Sequence, residues 1–138
     1  MTFFISHELL EEVEREAQSS LPFECCGLLG GHAFRATSRH PMRNTAARPE
    51  SEFFAAPEDL FNAMRELREA GEEIVAIYHS HPRGPAQPSE TDIRMAYYPT
   101  AVQIIVVPEC PAVFRAFTIR NGVAHAISLE EWPREEEL

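Results

Sequence analysis

The chain is 138 residues long and 44% hydrophobic, with nine Phe residues to fill a core; that suits one globular domain and excludes a wholly disordered polypeptide. Twelve basic residues, all Arg, stand against 22 acidic ones for a net charge of −10, a balance that repels phosphate backbones and argues against nucleic-acid binding. No run approaches ~18 consecutive apolar residues, so no membrane span is expected, and the start MTFFISHELLEEVERE lacks the basic region of a signal peptide, which points to a cytoplasmic protein.

Ser6 is placed to cap a helix running to about Ser20, with Leu9, Leu10, Val13 and Ala17 on one face. Pro22 ends that connection. Cys25 to Leu29 is an apolar run closed by Gly30 and Gly31 and reads as a buried strand or turn. Ala33 to His40 alternates loosely until Pro41, residues 42–51 read as loop, and Glu52 to Ala55 as a short strand. Pro57 fits a first helical position; Leu60, Phe61, Met64 and Leu67 then recur at helical spacing up to Gly71. Ile74 to His79 reads as a buried strand with Val75, Ile77 and His79 on one face.

A constrained loop rich in Pro and Gly follows over 82–88, and Ser89 starts a short helix that ends before Pro99. Val102 to Val107 is apolar except for Gln103 and is expected to be central. Val113 to Arg120 and Val123 to Leu129 form a hairpin turning at Asn121-Gly122. The order is helix, several strands, helix, strand, helix, three strands. This is a mixed α/β (α+β) fold, one domain over 1–138 built on a single sheet with helices packed against it.

Acid gathers at Glu8, Glu11, Glu12, Glu14 and Glu16, and again at Glu135 to Glu137. These read as a solvated helix face and a disordered tail over about 133–138, with salt adaptation or a basic partner as alternatives. Three cysteines, Cys25, Cys26 and Cys110, are an odd set with two adjacent; burial as small apolar residues is expected, rather than a disulfide framework or a redox or metal role.

The chemistry concentrates in 79–92. His79 and His81, two apart at a strand end, point to one side with Cβ atoms ~6.5–7 Å apart, so both imidazoles can meet one ion. Ser80 faces away. The stiff loop then returns Ser89 and Asp92, and Asp92 can supply a third ligand. Two imidazoles and one carboxylate with an open fourth position match a catalytic zinc site rather than a closed structural one. Ser89-x-x-Asp92 is also a helix-capping pattern, and the two roles are compatible. His7, His32, His40 and His125 lack partner spacing and read as surface or satisfied side chains, and Tyr78 and Gln103 as packing residues. Arg83 and Arg94 flank the site, where either could receive an acidic terminus.

His79-x-His81-Pro82, six residues, then Ser89-x-x-Asp92 resembles the motif of the JAMM (MPN-plus) zinc metalloproteases without a gap. Pro22 to Gly31 resembles the family's upstream glutamate segment, as found in the small bacterial and archaeal members. The resemblance covers Ser6 to about Ile119. It implies a curved mixed sheet flanked by helices, distantly like the cytidine deaminases, and one Zn²⁺ per chain on His79, His81 and Asp92. It further implies Glu24 as general base and Ser89 as oxyanion donor. The residues alone would make Glu24 a surface carboxylate before a strand. Asn44 resembles a family position that helps order the site.

The expected reaction is hydrolysis of a peptide or isopeptide bond, deubiquitinase-like. The substrate implied is a ubiquitin-like or sulfur-carrier protein cut at its C-terminus. An MPN-type interaction scaffold without catalysis is the alternative, disfavoured because every ligand is present. A nucleobase deaminase ranks lower, because Cys110 has no second cysteine three residues on.

Overall fold

A computed structural model describes residues 1–94, 96, 98 and 100–132. Pro99 and the tail 133–138, named above, lie outside the described residues. In order, the elements are β1 (Thr2–Ile5), α1 (His7–Ser20), β2 (Cys26–His32), β3 (Arg35–Met42), α2 (Pro57–Ala70), β4 (Glu73–Ser80), α3 (Glu90–Arg94), β5 (Val102–Val107), β6 (Val113–Arg120) and β7 (Val123–Glu131). The strands form one mixed sheet in the order β1-β3-β2-β4-β5-β6-β7, closed into a barrel by parallel pairing of β1 with β7.

Two apolar clusters lie on opposite faces of this sheet. The larger draws Phe3, Ile5, Leu29, Ala36, Tyr78, Val102 and Ala116 around Leu9, Val13 and Ala17 of α1. All seven strands contribute to it, so it fills the interior. The smaller joins Cys26, Leu28 and Met42 to Ala63 and Leu67 of α2 on the outside. Helix α1 begins as its sequence demands, with the Ser6 hydroxyl accepting from Leu9 N at 3.1 Å. Pro57 opens α2, and Gly71 closes it in the left-handed region at φ 71°.

Several expectations change. The chain starts with a strand, not a helix. Four residues are too few to show a period, and β1 exists because β3 and β7 both pair with it. Gly30 and Gly31 continue β2 rather than closing it. A Cβ on Gly31 would lie 2.0 Å from the Arg35 carbonyl oxygen, so glycine here permits close approach of β3. Pro41 stays within β3, on a stretch beyond Ala36 where β1 no longer pairs, an edge that needs no donor. Residues 52–55 form no strand; Ala55 makes a single bridge to Asn44. Phe61 and Met64 are exposed, so the buried stripe of α2 is Ala63 and Leu67 with Leu60 beside it.

Strand β4 carries the correction that matters most for the site. The ladder pairs Leu29 with Ala76 and Gly30 with Ile74, leaving Val75 as an extra, bulged residue. Val75, Ala76 and Tyr78 therefore join the interior, and Ile74 and Ile77 join the outer cluster. Val75 does not share the face of Ile77 and His79.

Two expectations stand as read. β5 is buried throughout and lies between β4 and β6. Asn121 and Gly122 both have positive φ, 52° and 74°, as the tight hairpin turn requires.

Candidate metal centre

β4 and β5 run parallel, so the connection between them must cross over, and it does so at the C-terminal end of β4. His79 is the penultimate residue of that strand. His81 extends the line, its amide donating to the Val106 carbonyl at 2.9 Å. The intervening Ser80 turns inward, as expected, but it is not idle. Its hydroxyl accepts from Cys25 N at 2.8 Å, and its amide donates to the Cys25 carbonyl at 3.1 Å. These bonds fasten the residue next to Glu24. The antiparallel register of β2 and β4, Cys26 opposite His79, brings Glu24 level with His81 two steps further along. Gly27 makes this pairing possible: it lies opposite Tyr78, whose ring occupies the space a Cβ would need, 2.2 Å from its hydroxyl oxygen.

The side chains of 79–92 converge as their spacing predicts. Nε2 of His79 lies 3.1 Å from Nε2 of His81, and Oδ2 of Asp92 is 3.1 Å from the first and 3.0 Å from the second. Asp92 is held at the start of α3 by a reciprocal cap. Ser89 N donates to its carboxylate at 2.8 Å, and its own amide donates to Ser89 Oγ at 3.0 Å. Ser89 is exposed, and its hydroxyl proton is not used in that cap.

The donor set fits a divalent cation on its own chemistry. In neutral His81, Nδ1–H donates to the Pro85 carbonyl at 2.8 Å, which leaves Nε2 a bare lone pair. That lone pair faces a carboxylate oxygen and a second imidazole nitrogen, both about 3 Å away. Acceptors packed this closely need a proton or a cation between them, and a single divalent cation serves all three at once. Nitrogen from two imidazoles and oxygen from one carboxylate are zinc ligands. Without a cation, the electrostatics show the same demand for positive charge, met by a proton on the imidazoles. Burial would raise Asp92, but the bonds to both imidazoles overcome it and hold the carboxyl well below the usual range. Burial lowers His79, favouring the neutral form that ligates metal. Burial also pulls His81 down, but Asp92 and the Pro85 carbonyl outweigh it and raise it.

Glu24 corrects the reading of the residues alone. It is 5% exposed, not a surface carboxylate. A carboxylate oxygen of Glu24 and one ring nitrogen each of His79 and His81 all lie within 4.8 Å of one another, and Oε1 is buried with no hydrogen-bond partner among the described residues. Burial pushes Glu24 up to about 7, with His81 opposing and Asp92 and Glu52 adding. Asn44 secures its backbone. The side-chain amide donates to the carbonyls of Glu24 at 3.0 Å and Glu52 at 2.9 Å, and its oxygen accepts from Ala46 N and Phe54 N at 3.0 Å.

A cleft of about 630 Å³ runs beside the site, walled by Leu28, Phe54, Leu60 and Ile77 and edged by Asp92 and Arg94. Gln103, read as a packing residue, contributes to its lining. Arg83 is exposed and does not line the cleft. Cys25 and Cys26 are buried, and burial pushes both thiols up to about 12; they serve as small apolar residues, whereas Cys110, expected to be buried with them, is exposed. His7 and His40 are satisfied by carboxylate partners.

The wider chain has relatives. The family model for prokaryotic homologs of the JAB domain matches residues 6–120. The chain is 34% identical over 103 residues to the desampylase of Haloferax volcanii, covering 73% of this chain and 74% of that one. It is 33% identical over 122 residues to the CysO-cysteine peptidase of Mycobacterium tuberculosis, covering 86% and 83%. Among solved structures, a protein from Desulfitobacterium hafniense superposes with a TM-score of 0.86 at 27% identity, covering 99% of this chain and 97% of that one. The solved JAMM metalloprotease-like zinc site of the proteasome and signalosome superposes at 0.60 with 20% identity, over 95% and 98%, a likeness of fold.

Proposed function

The chain belongs to the prokaryotic homologs of the JAB domain, and from that membership we propose that its site is a zinc peptidase centre cutting the bond that follows the C-terminus of a ubiquitin-like or sulfur-carrier protein. The observation that carries this reading is the meeting of two imidazoles and a carboxylate within 3.1 Å beside a buried glutamate oxygen that has no hydrogen-bond partner among the described residues. His79, His81 and Asp92 hold the ion. Bound there, zinc supplies Lewis-acid charge that polarises a carbonyl and makes water a nucleophile near neutral pH.

The rest falls to the chain. Glu24 takes a proton from the attacking water and delivers it to the leaving amine. Its buried place supports this, since a carboxyl raised to about 7 can both accept and return a proton at neutral pH. Ser89 directs its free hydroxyl proton at the oxyanion, while the same oxygen caps α3. The cleft receives the extended tail of the substrate. Both apolar clusters adjoin one sheet, which supports a single domain. Among the described residues no helix is long and apolar enough to cross a membrane.

The test is direct. Zinc-loaded protein is incubated with ubiquitin-like proteins carrying C-terminal extensions or isopeptide-linked partners, and the products are weighed by mass spectrometry. Cleavage after the ubiquitin-like C-terminus is expected, stopped by a chelator and restored by zinc. Metal-independent cleavage, or none across such substrates, overturns the proposal. The role of Ser89 has its own test. Ser89→Ala is expected to keep the metal and lower turnover by the ~2.7–4 kcal/mol that one oxyanion donor contributes. An unchanged rate would leave Ser89 as a cap alone.

A further inference from the structure

Histidines that bind metals almost always donate their second ring N–H to a carbonyl, carboxylate or water, which fixes the ring plane. His81 has such a partner in the Pro85 carbonyl. Among the described residues His79 has none: its Nδ1 is buried and without a hydrogen-bond partner. Something else must set the plane of the His79 ring, because the residue is 1% exposed and its other nitrogen is aimed at His81 and Asp92.

We propose that Phe53 is the positioning residue for His79, holding the imidazole by ring stacking in place of the missing hydrogen bond. The two centroids lie 4.5 Å apart with the planes 24° from parallel, within the range of favourable offset stacks. An imidazole bonded to a dication is electron-poor, and an aromatic face stabilises such a ring more than a neutral one. The contact therefore favours the metal-loaded state as well as the right rotamer.

Phe53 is itself held. It packs on the outer apolar cluster, and Asn44 grips the backbone on both sides of it, at the Glu52 carbonyl and the Phe54 amide. The same amide group grips the Glu24 carbonyl. One asparagine thus ties the ring that orients a ligand to the residue proposed as base.

The inference rests on reading His79 as a ligand, so the experiment reads metal binding rather than turnover. Zinc affinity is measured by chelator competition, and the visible spectrum of the cobalt-substituted protein reports ligand geometry, for the natural chain and for Phe53→Ala, Phe53→Leu and Phe53→Tyr. Loss of an orienting partner weakens metal affinity by ~10–100-fold. Phe53→Ala and Phe53→Leu are expected to fall in that range with altered cobalt spectra, and Phe53→Tyr to restore both. Phe53→Leu keeps the apolar bulk, so it stands in if Phe53→Ala fails to fold. Natural affinity and an unchanged spectrum in Phe53→Leu overturn the role of Phe53 while leaving the site intact. Absence of metal binding by the natural chain overturns the site itself, and this inference with it.

Discussion

Glu24→Gln is expected to bind zinc as the natural chain does and to lose turnover by ~10²–10⁴-fold, the usual contribution of a positioned general base. The amide is nearly isosteric, so the packing around a side chain that is 5% exposed is preserved. What disappears is the ability to hold a proton. The pH profile separates this from a packing defect. The base acts only when unprotonated, and Glu24 stands raised to about 7, chiefly by burial. Below that value the fraction of competent enzyme falls. A bound cation nearby favours the charged carboxylate, so the acidic limb of kcat in the natural chain is expected at or below about 7. The Gln variant should show a low rate without that limb. If Glu24→Gln retains turnover, another group takes the proton.

Asp92→Ala is expected to abolish zinc retention and reduce turnover to background. A directly ligating carboxylate should cost more than the ~10–100-fold attached to an outer partner. Asp92 also accepts from the Ser89 amide, so alanine removes one half of the reciprocal cap and could be misread as a folding defect. Asp92→Asn resolves this. Its carbonyl can still accept from Ser89, but the side chain is neutral and leaves the two imidazoles without an anionic third ligand. Metal content measured after dialysis, beside the thermal midpoint, gives the answer. Loss of metal in a folded Asp92→Asn chain supports the ligand role; full retention in both variants removes Asp92 from the metal set.

The segment 79–92 could be read from the sequence because its geometry is local. A strand end fixes the spacing of His79 and His81, and a capped helix start fixes Asp92. Helices α1 and α2 were equally plain, since Ser6, Pro57 and Gly71 act on their own turns. What escaped was set at long range. The bulge at Val75 exists only because β2 pairs with β4 out of step, and β1 only because the barrel closes on it. The burial of Glu24 follows from the same β2–β4 pairing, so the residues by themselves suggested a surface group and only the family resemblance suggested a base. Phe53 carried no signal at all. An aromatic residue before a helix looks like any other, and its stack on His79 needs the whole 44–55 loop in place. Phe61 and Met64 matched the helical period yet point outward, because periodicity marks a face without saying what covers it.

The β2–β4 ladder has a bearing on when such a protease becomes dangerous. The three proposed ligands fall within one short stretch of the chain, whereas Glu24, the proposed proton acceptor, is delivered from far upstream, by the reciprocal Cys25–Ser80 bonds. Fraying those first rungs would swing the acceptor away while the ion stayed gripped. Hydrolytic power is thereby tethered to the integrity of the sheet: a half-folded copy could carry zinc yet cut nothing, and cleavage should fail in mild denaturant before the metal escapes.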